Sequence, residues 1–248
     1  MRAPAKINIF LKIVGTRGDY HELLSRFVRY DELCDELEFV EGEFAGFTIL
    51  GMEIPQEANI IHKAYKQLLS AYPSIAPFFK RHAVRIHKRI PQGAGLGGGS
   101  SDAAAFLLMA KETLGLAMKE DELMRLGASI GADVPFFLSG YEAANVSGIG
   151  EVIEPFEDDI PSLKLKLLPI HCDTAEVYRN WRRNHLRFDP HTARKLTAMK
   201  SSEILATIAP QKANDLYSSA LELCDGLRGF EEEWFLSGSG STLFRREE

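Results

Sequence analysis

The stretch Pro91-Gln-Gly-Ala-Gly-Leu-Gly-Gly-Gly-Ser-Ser-Asp102 decides the fold, because five of its seven residues from 93 to 99 are glycine. Glycine lets successive backbone N–H groups turn toward an anion without interference from a Cβ atom. The alternation of residues 84–90 predicts a strand before this stretch, and the apolar spacing of residues 103–116 predicts a helix after it. We therefore predict a strand–loop–helix unit whose loop and helix N-terminus bind phosphate.

A plain flexible loop is the alternative interpretation of this stretch. Lys88 and Arg89 before the glycines and Ser100 and Ser101 after them favour phosphate binding, and these serines with Asp102 are good residues to cap the helix. No Gly-Lys-Ser/Thr follows, so the stretch is not a Walker A motif. It is not the dinucleotide fingerprint either, because no early βαβ unit surrounds it.

The composition excludes several classes of protein. The 248 residues are 45% hydrophobic and 26% charged, which is typical of a globular protein. The net charge of −6 and the absence of an evident basic stripe argue against nucleic-acid binding. Cys34, Cys172 and Cys224 are odd in number and far apart, so neither a disulfide scaffold nor a zinc site is expected. Without a signal peptide or an apolar membrane span, a cytoplasmic protein with no membrane partner is expected.

Two charged residues outside the glycine stretch lie at positions that suit catalysis. Residues 6–13 alternate and predict a strand with one buried face, which places Lys6 and Asn8 together on the other face. Asp133 lies at a predicted turn in which Val134 is extended before Pro135. An aspartate can accept the proton of an attacking hydroxyl, and a lysine can stabilise the developing charge. By spacing alone, a turn aspartate that binds its own backbone is equally good, and a solvated lysine is the better interpretation of Lys6.

Further elements follow from the same periodicities. Helices are predicted over residues 58–71, 120–130 and 216–227, and strands over residues 36–50, 136–138, 163–170 and 234–236. The sequence Asp158-Asp-Ile-Pro161 indicates a junction between two domains. The predicted division is an ATP-binding domain over residues 1–157 and an α+β domain over residues 158–248.

Three motifs together resemble those of the galactokinase, homoserine kinase, mevalonate kinase and phosphomevalonate kinase (GHMP) superfamily. They are Pro4-Ala-Lys-Ile-Asn8, the glycine stretch, and Ser237-Gly-Ser-Gly-Ser-Thr242. The resemblance covers nearly the whole chain and implies a two-domain α+β fold with the active site in the interdomain cleft. It also implies transfer of a phosphoryl group from ATP, with Mg²⁺, to an alcohol. The opening PAKINIFLKI…YHEL is most similar to kinases of cytidine diphosphate-linked methylerythritol in the non-mevalonate isoprenoid pathway.

The resemblance assigns a role to each candidate residue. It implies that Asp133 is the catalytic base and that Lys6 acts beside it. The implied ATP contacts are Lys88, Gly93, Ala94, Gly95, Leu96, Gly97, Gly98, Gly99, Ser100, Ser101 and Asn59. The implied contacts with the cytidyl substrate are Asn8, Tyr20, His21, Thr174 and Tyr178. Mg²⁺ is expected to be carried by ATP near Ser100, without a metal site built from protein ligands alone, and the protein is expected to be a monomer or a homodimer.

The sequence departs from the family pattern at two places, and it leaves two alternative functions open. Arg17-Gly-Asp-Tyr-His21 stands where the family has RxDGYH, and Pro169-Ile-His-Cys172 replaces a usual Pro-Gly. The first alternative is a GHMP kinase acting on homoserine or mevalonate, and the second is a nucleotide-binding protein without catalysis. Tyr20, His21 and Tyr178 favour a cytosine ring, because aromatic rings stack on bases.

Overall fold

The computed structural model describes residues 1–52 and 55–247, and its mixture of sheets and helices confirms the predicted α+β class. The strands are β1 (Arg2–Arg17), β2 (Tyr20–Glu41), β3 (Ile49–Leu50), β4 (His82–His87), β5 (Ala143–Ser147), β6 (Val152–Pro155), β7 (Leu163–Lys166), β8 (Phe235–Leu236) and β9 (Leu243–Arg246). The helices are α1 (Ile60–Ala71), α2 (Gly98–Thr113), α3 (Glu120–Ile130), α4 (Val134–Ser139), α5 (Thr174–Asn184), α6 (Pro190–Ala198), α7 (Ser201–Thr207), α8 (Pro210–Ala213) and α9 (Tyr217–Leu223).

The first compact unit consists of Met1–Ala5, Tyr30–Ile90 and Gly97–Gly140. In it, β4 runs antiparallel to the second half of β2 and parallel to β3. Helices α1 to α4 belong to this unit, and α1 packs against α2. The predicted apolar face of α1 is buried, and the alanines of α2 permit close helix packing because they lack large side chains.

The second compact unit consists of Lys6–Arg29, Pro91–Leu96 and Tyr141–Glu248. Here β5 runs antiparallel to residues 25–28 of β2 and to β6, while β7, β9 and β8 form a separate antiparallel sheet. Trp181 of α5 and Tyr217 of α9 are buried in its apolar core. Strands β1 and β2 contribute residues to both units, so the units do not follow a single cut in the sequence. The predicted division between residues 157 and 158 stays a prediction.

Several predicted elements differ from those observed. Residues 136–138, predicted as a strand, and Val134, predicted as extended, belong to helix α4. Pro135 is accommodated because the first turn of a helix does not need its N–H group. Helix α2 begins at Gly98 with Gly97 as its N-cap, so the predicted capping by Ser100, Ser101 and Asp102 is wrong. A short apolar run and a glycine cluster give the periodicity too few residues to decide between these alternatives.

The cysteines also differ from expectation. Cys172 and Cys224 form a disulfide whose Cα atoms lie 6.0 Å apart. Both residues are buried in the core of the second unit. The sequence could not predict this pair, because a separation of 52 residues says nothing about distance in the fold.

Among the described residues, no helix is both long and apolar enough to cross a membrane. The cellular location of the protein stays a prediction.

Candidate active site

Lys6 is buried in the middle of β1, with only 4% of its surface exposed. Its ammonium group donates to the side-chain oxygen of Asn8 at 2.5 Å and to the carbonyl of Gly95 at 3.0 Å. The Lys6 Nζ atom also lies 4.7 Å from the ring centre of Phe27. A buried charge persists only with such partners, so the interpretation of Lys6 as a solvated strand lysine is wrong. The prediction of one exposed face on β1 is also wrong here, because Asn8 is 2% exposed.

Asn8 joins the first motif to the third. Its backbone N–H donates to the hydroxyl of Ser237 at 3.2 Å, and its side-chain amide donates to Ser25 at 2.9 Å. The Ser237 hydroxyl in turn donates to the carbonyl of Gly95 at 3.0 Å. Lys6, Asn8, Gly95 and Ser237 therefore form one hydrogen-bonded group in the second unit, which we call the Lys6 cluster.

Two structural requirements explain why the loop contains glycines: a left-handed backbone and a lack of space for a Cβ atom. Gly93, Gly95 and Gly97 have φ angles of 65°, 74° and 68°, in the left-handed region that other residues rarely adopt. A Cβ atom at Gly95 would also lie 2.1 Å from the Ser237 carbonyl oxygen. Gly98 has no positive φ, but a Cβ atom there would lie 2.8 Å from the side chain of Ile90. The alternation of left-handed residues is the backbone pattern that turns N–H groups toward an anion.

The serines after the glycines lie in the first turn of α2. Ser101 is 1% exposed, and its hydroxyl has no hydrogen-bond partner among the described residues. Ser100 is partly exposed. The N-terminus of this 16-residue helix is an electropositive end that attracts phosphate.

Lys88 connects two buried carboxylates in the first unit. Its ammonium group donates to Asp35 at 2.5 Å and to Asp102 at 2.8 Å. The other oxygen of Asp35 accepts the backbone N–H groups of Arg89 and Ile90. An open groove of about 810 Å³ lies alongside, lined by Lys88 and its neighbours on β4. This arrangement holds the chain just before the glycine loop, while the predicted contact of Lys88 with ATP stays a prediction.

Asp102 is the second carboxylate bound to Lys88. Burial, reinforced by the negative charge of Asp35, raises the pKa of Asp102 to about 8, although the Lys88 ammonium opposes this shift. Near neutral pH the group therefore carries a proton in the folded protein and loses it on unfolding.

We expect the free energy of unfolding to fall as the pH rises from about 4 to about 8, since the folded state binds the Asp102 proton and the unfolded state does not. Asp102→Asn lacks this dependence, so its stability relative to the wild type increases across the same window. Each pKa unit corresponds to about 1.4 kcal/mol, so the change amounts to several kcal/mol. Urea unfolding of both proteins at about pH 5 and about pH 9 measures it. An equal difference between the two proteins at both pH values would contradict the assignment.

Asp133 lies in the first unit at the N-cap position of α4, and it is partly exposed. Within the described part of the chain, its side chain makes no capping hydrogen bond to that helix. The catalytic role of Asp133 and its interpretation as a turn aspartate both stay predictions.

Asn59 has a clear structural role as the N-cap of α1. Its side-chain oxygen accepts the N–H of Ile61 at 2.8 Å, and its amide lies 2.9 Å from the sulfur of Met52. The predicted contact between Asn59 and ATP stays a prediction.

Two of the predicted substrate contacts, His21 and Tyr178, meet in the second unit. The ring of His21 stacks on Tyr178 with centroids 5.0 Å apart, and it meets the edge of Trp181 at 5.5 Å. The buried Nε2 atom of His21 has no hydrogen-bond partner in the described ranges. Tyr20 is 64% exposed, and the Thr174 hydroxyl lies 2.8 Å from that of Ser239 in the third motif. Burial, together with the positive charge of Arg182, lowers the pKa of His21 and favours its neutral form.

Comparison with known proteins identifies the family. The family model described as GHMP kinases N terminal domain matches residues 59–141. A protein of Sulfurovum sp. (strain NBC37-1), named 4-diphosphocytidyl-2-C-methyl-D-erythritol kinase, is 47% identical over 99% of this chain and 98% of its own. A protein of Campylobacter jejuni subsp. jejuni serotype O:6 with the same name is 42% identical over 99% of both chains.

The chain belongs to the 4-diphosphocytidyl-2-C-methyl-D-erythritol kinase family.

Comparison with solved structures indicates the same family. A crystal structure of 4-(cytidine 5'-diphospho)-2C-methyl-D-erythritol kinase is 31% identical, with a TM-score of 0.75 over 100% of this chain and 90% of the other. The mevalonate kinase of Methanococcus jannaschii, at 15% identity and a TM-score of 0.62 over 99% of this chain and 89% of its own, shares the fold alone. The predicted GHMP kinase fold is therefore confirmed.

Several residues of this 4-diphosphocytidyl-2-C-methyl-D-erythritol kinase family member lie beside the predicted site residues but were not found by sequence reasoning. Trp181 follows Tyr178 by three positions, which places both on one face of α5, and this spacing is a usable signal. Ser237 and Ser239 belong to a motif that the sequence singles out, but their partners are more than 60 residues away. Asp35 lies within a strand pattern that carries no sign of its contact with Lys88.

Proposed function

We propose that the protein transfers the γ-phosphoryl group of ATP to the 2-hydroxyl of 4-diphosphocytidyl-2-C-methyl-D-erythritol. The observation that carries this proposal is the pairing of His21 with Tyr178, whose rings stack with their centroids 5.0 Å apart. A neutral imidazole offers one donor and one acceptor, which suits the edge of a cytosine, and an aromatic ring suits its face. The full-length relatives bear the name of this kinase, which supports the same substrate.

We assign the chemical step to Asp133 and Lys6. Asp133 accepts the proton of the substrate hydroxyl as the oxygen attacks the γ-phosphorus, and the bond to the ADP oxygen breaks. Lys6 stabilises the negative charge that develops on the attacking oxygen. The hydrogen bonds of Lys6 to Asn8 and Gly95 keep its ammonium group in one orientation, so it needs little reorganisation.

ATP is the co-substrate that this kinase family implies, and we assign its phosphates to the loop over residues 93–101. The left-handed glycines at 93, 95 and 97 and the N-terminus of α2 suit a polyphosphate. Mg²⁺ enters with ATP as part of the substrate. It keeps several waters and takes few protein oxygens, which fits the partly exposed Ser100 as its candidate protein contact.

Two other functions are weaker. A homoserine or mevalonate kinase has no base to place beside His21 and Tyr178. A nucleotide-binding protein without catalysis has no need for a lysine buried in the Lys6 cluster, because burying a charge is costly.

Release of ADP from MgATP with 4-diphosphocytidyl-2-C-methyl-D-erythritol tests the proposal, with homoserine and mevalonate as parallel substrates. We expect turnover with the cytidyl substrate alone and competitive inhibition by CDP. Turnover with another alcohol and no inhibition by CDP would overturn the assignment of substrate. Binding of ATP with no turnover of any of these alcohols would favour the protein without catalysis.

A further inference from the structure

We propose that Arg182 is a positioning residue for recognition of the cytosine base, and that it acts by holding the turn that carries Tyr20 and His21. This inference rests on the proposed function. Arg182 lies on α5, and its guanidinium donates to the carbonyl of Gly18 at 3.1 Å. Gly18 is at the tip of the connection between β1 and β2, two residues before Tyr20.

The position of Arg182 on α5 connects it to the other base-recognition residues. Thr174, Tyr178 and Arg182 are spaced by four residues, so they follow one line along the helix. Thr174 contacts the third motif, Tyr178 stacks on His21, and Arg182 binds the turn before His21. One side of α5 therefore supports both the His21 ring and the backbone that leads into it.

The turn has a reason to need this support. Gly18 has a φ of 62°, and no described atom lies within 4 Å of the place that a Cβ atom would take, so little else packs against the turn there. Arg17 fixes the near side of the turn through Glu22 and Glu151. Arg182 adds a hydrogen bond to the Gly18 carbonyl, so side chains from separate parts of the chain hold the turn.

Arg182 also affects the charge of His21. Among the residues that the structure describes, it is the charged group whose field acts on the His21 ring, which is otherwise packed against Tyr178 and Trp181 of α5. The positive charge of Arg182 disfavours the imidazolium, as burial of the ring does. The neutral form is the one that offers an acceptor to the base.

Steady-state kinetics of Arg182→Ala, Arg182→Lys and Arg183→Ala test the inference. Arg183 is the adjacent exposed arginine on α5 and serves as the matched control. We expect Arg182→Ala to raise the KM for the cytidyl substrate about tenfold, the loss expected for a hydrogen bond from a charged group. The kcat and the KM for ATP stay within about twofold, because the proposed function assigns the phosphates to the glycine loop and the chemical step to Asp133 and Lys6.

The conservative variant and the pH profile separate positioning from general damage to the fold. Arg182→Lys keeps a positive donor and recovers part of the loss. In Arg182→Ala the rise of KM on the acid side begins at a higher pH than in the wild type, because the His21 pKa moves back toward its ordinary value of about 6.5.

Equal KM values for Arg182→Ala and Arg183→Ala would overturn this inference and leave the proposed function intact. A fall in kcat and a rise in the KM for ATP together, without recovery in Arg182→Lys, would also overturn it, since the residue would then support the fold as a whole. Binding of CDP to the wild type, measured by calorimetry, separates the two proposals. Absence of CDP binding would overturn the proposed function and the inference with it.

Discussion

Asp133→Asn is expected to lower kcat by about 10²- to 10⁴-fold, the range that a general base contributes. Asparagine keeps the size and polarity of the side chain but does not accept the proton of the attacking hydroxyl. The dissociation constant of MgATP is expected to stay within about twofold, because the phosphates are assigned to the glycine loop and α2. Single-turnover kinetics and equilibrium binding of a fluorescent ATP analogue measure the two quantities.

Asp189→Asn is the matched control for this variant. Asp189 also lies at a helix N-cap, where its carboxylate accepts the N–H of Thr192 at 3.0 Å. The control loses the carboxylate of an N-cap aspartate but keeps turnover, because Asp189 has no role in the proposed chemistry. If Asp133→Asn retained as much activity as Asp189→Asn, the assignment of the base would be wrong.

Gly95→Ala is expected to reduce both stability and activity. The φ of 74° alone strains an alanine by about 1–2 kcal/mol. The new Cβ atom would also meet the Ser237 carbonyl oxygen at 2.1 Å, and backbone atoms must move to relieve the clash. That movement displaces the Gly95 carbonyl to which Lys6 donates, and a misplacement of about 1 Å at such a site costs on the order of 10²-fold in rate. Urea unfolding and kcat/KM measure the two effects.

Gly115→Ala separates the strain from the clash. Gly115 has a similar φ of 59°, but no described atom lies within 4 Å of the position that a Cβ atom would take there. This variant should therefore lose only the stability that the backbone strain costs, and its kcat/KM should match the wild type. Equal losses of stability and of activity in the two variants would mean that the contact between Gly95 and Ser237 has no importance of its own.

The sequence alone determined the family and the position of the glycine loop. Glycines at 93, 95 and 97 are a local requirement of the backbone, so a pattern of residue types reveals them without a fold. The helices α1 and α3 follow from their apolar spacing for the same reason, because a helix repeats within a few residues.

The tertiary structure alone decided how the candidate residues are held. The alternation of apolar residues in β1 predicts one buried face, so the sequence favours a solvated Lys6 on the opposite face. Burial of that opposite face depends on residues elsewhere in the chain, which the local pattern does not contain. The contacts of Asn8 with Ser237 and of Lys88 with Asp35 join residues 229 and 53 positions apart. Hydrogen bonds and charge interactions act over a few ångströms in space, whereas the patterns of a single sequence report neighbours along the chain. The sequence therefore identifies the chemical groups, and only the fold determines which of them lie close enough to form hydrogen bonds or to interact through their charges.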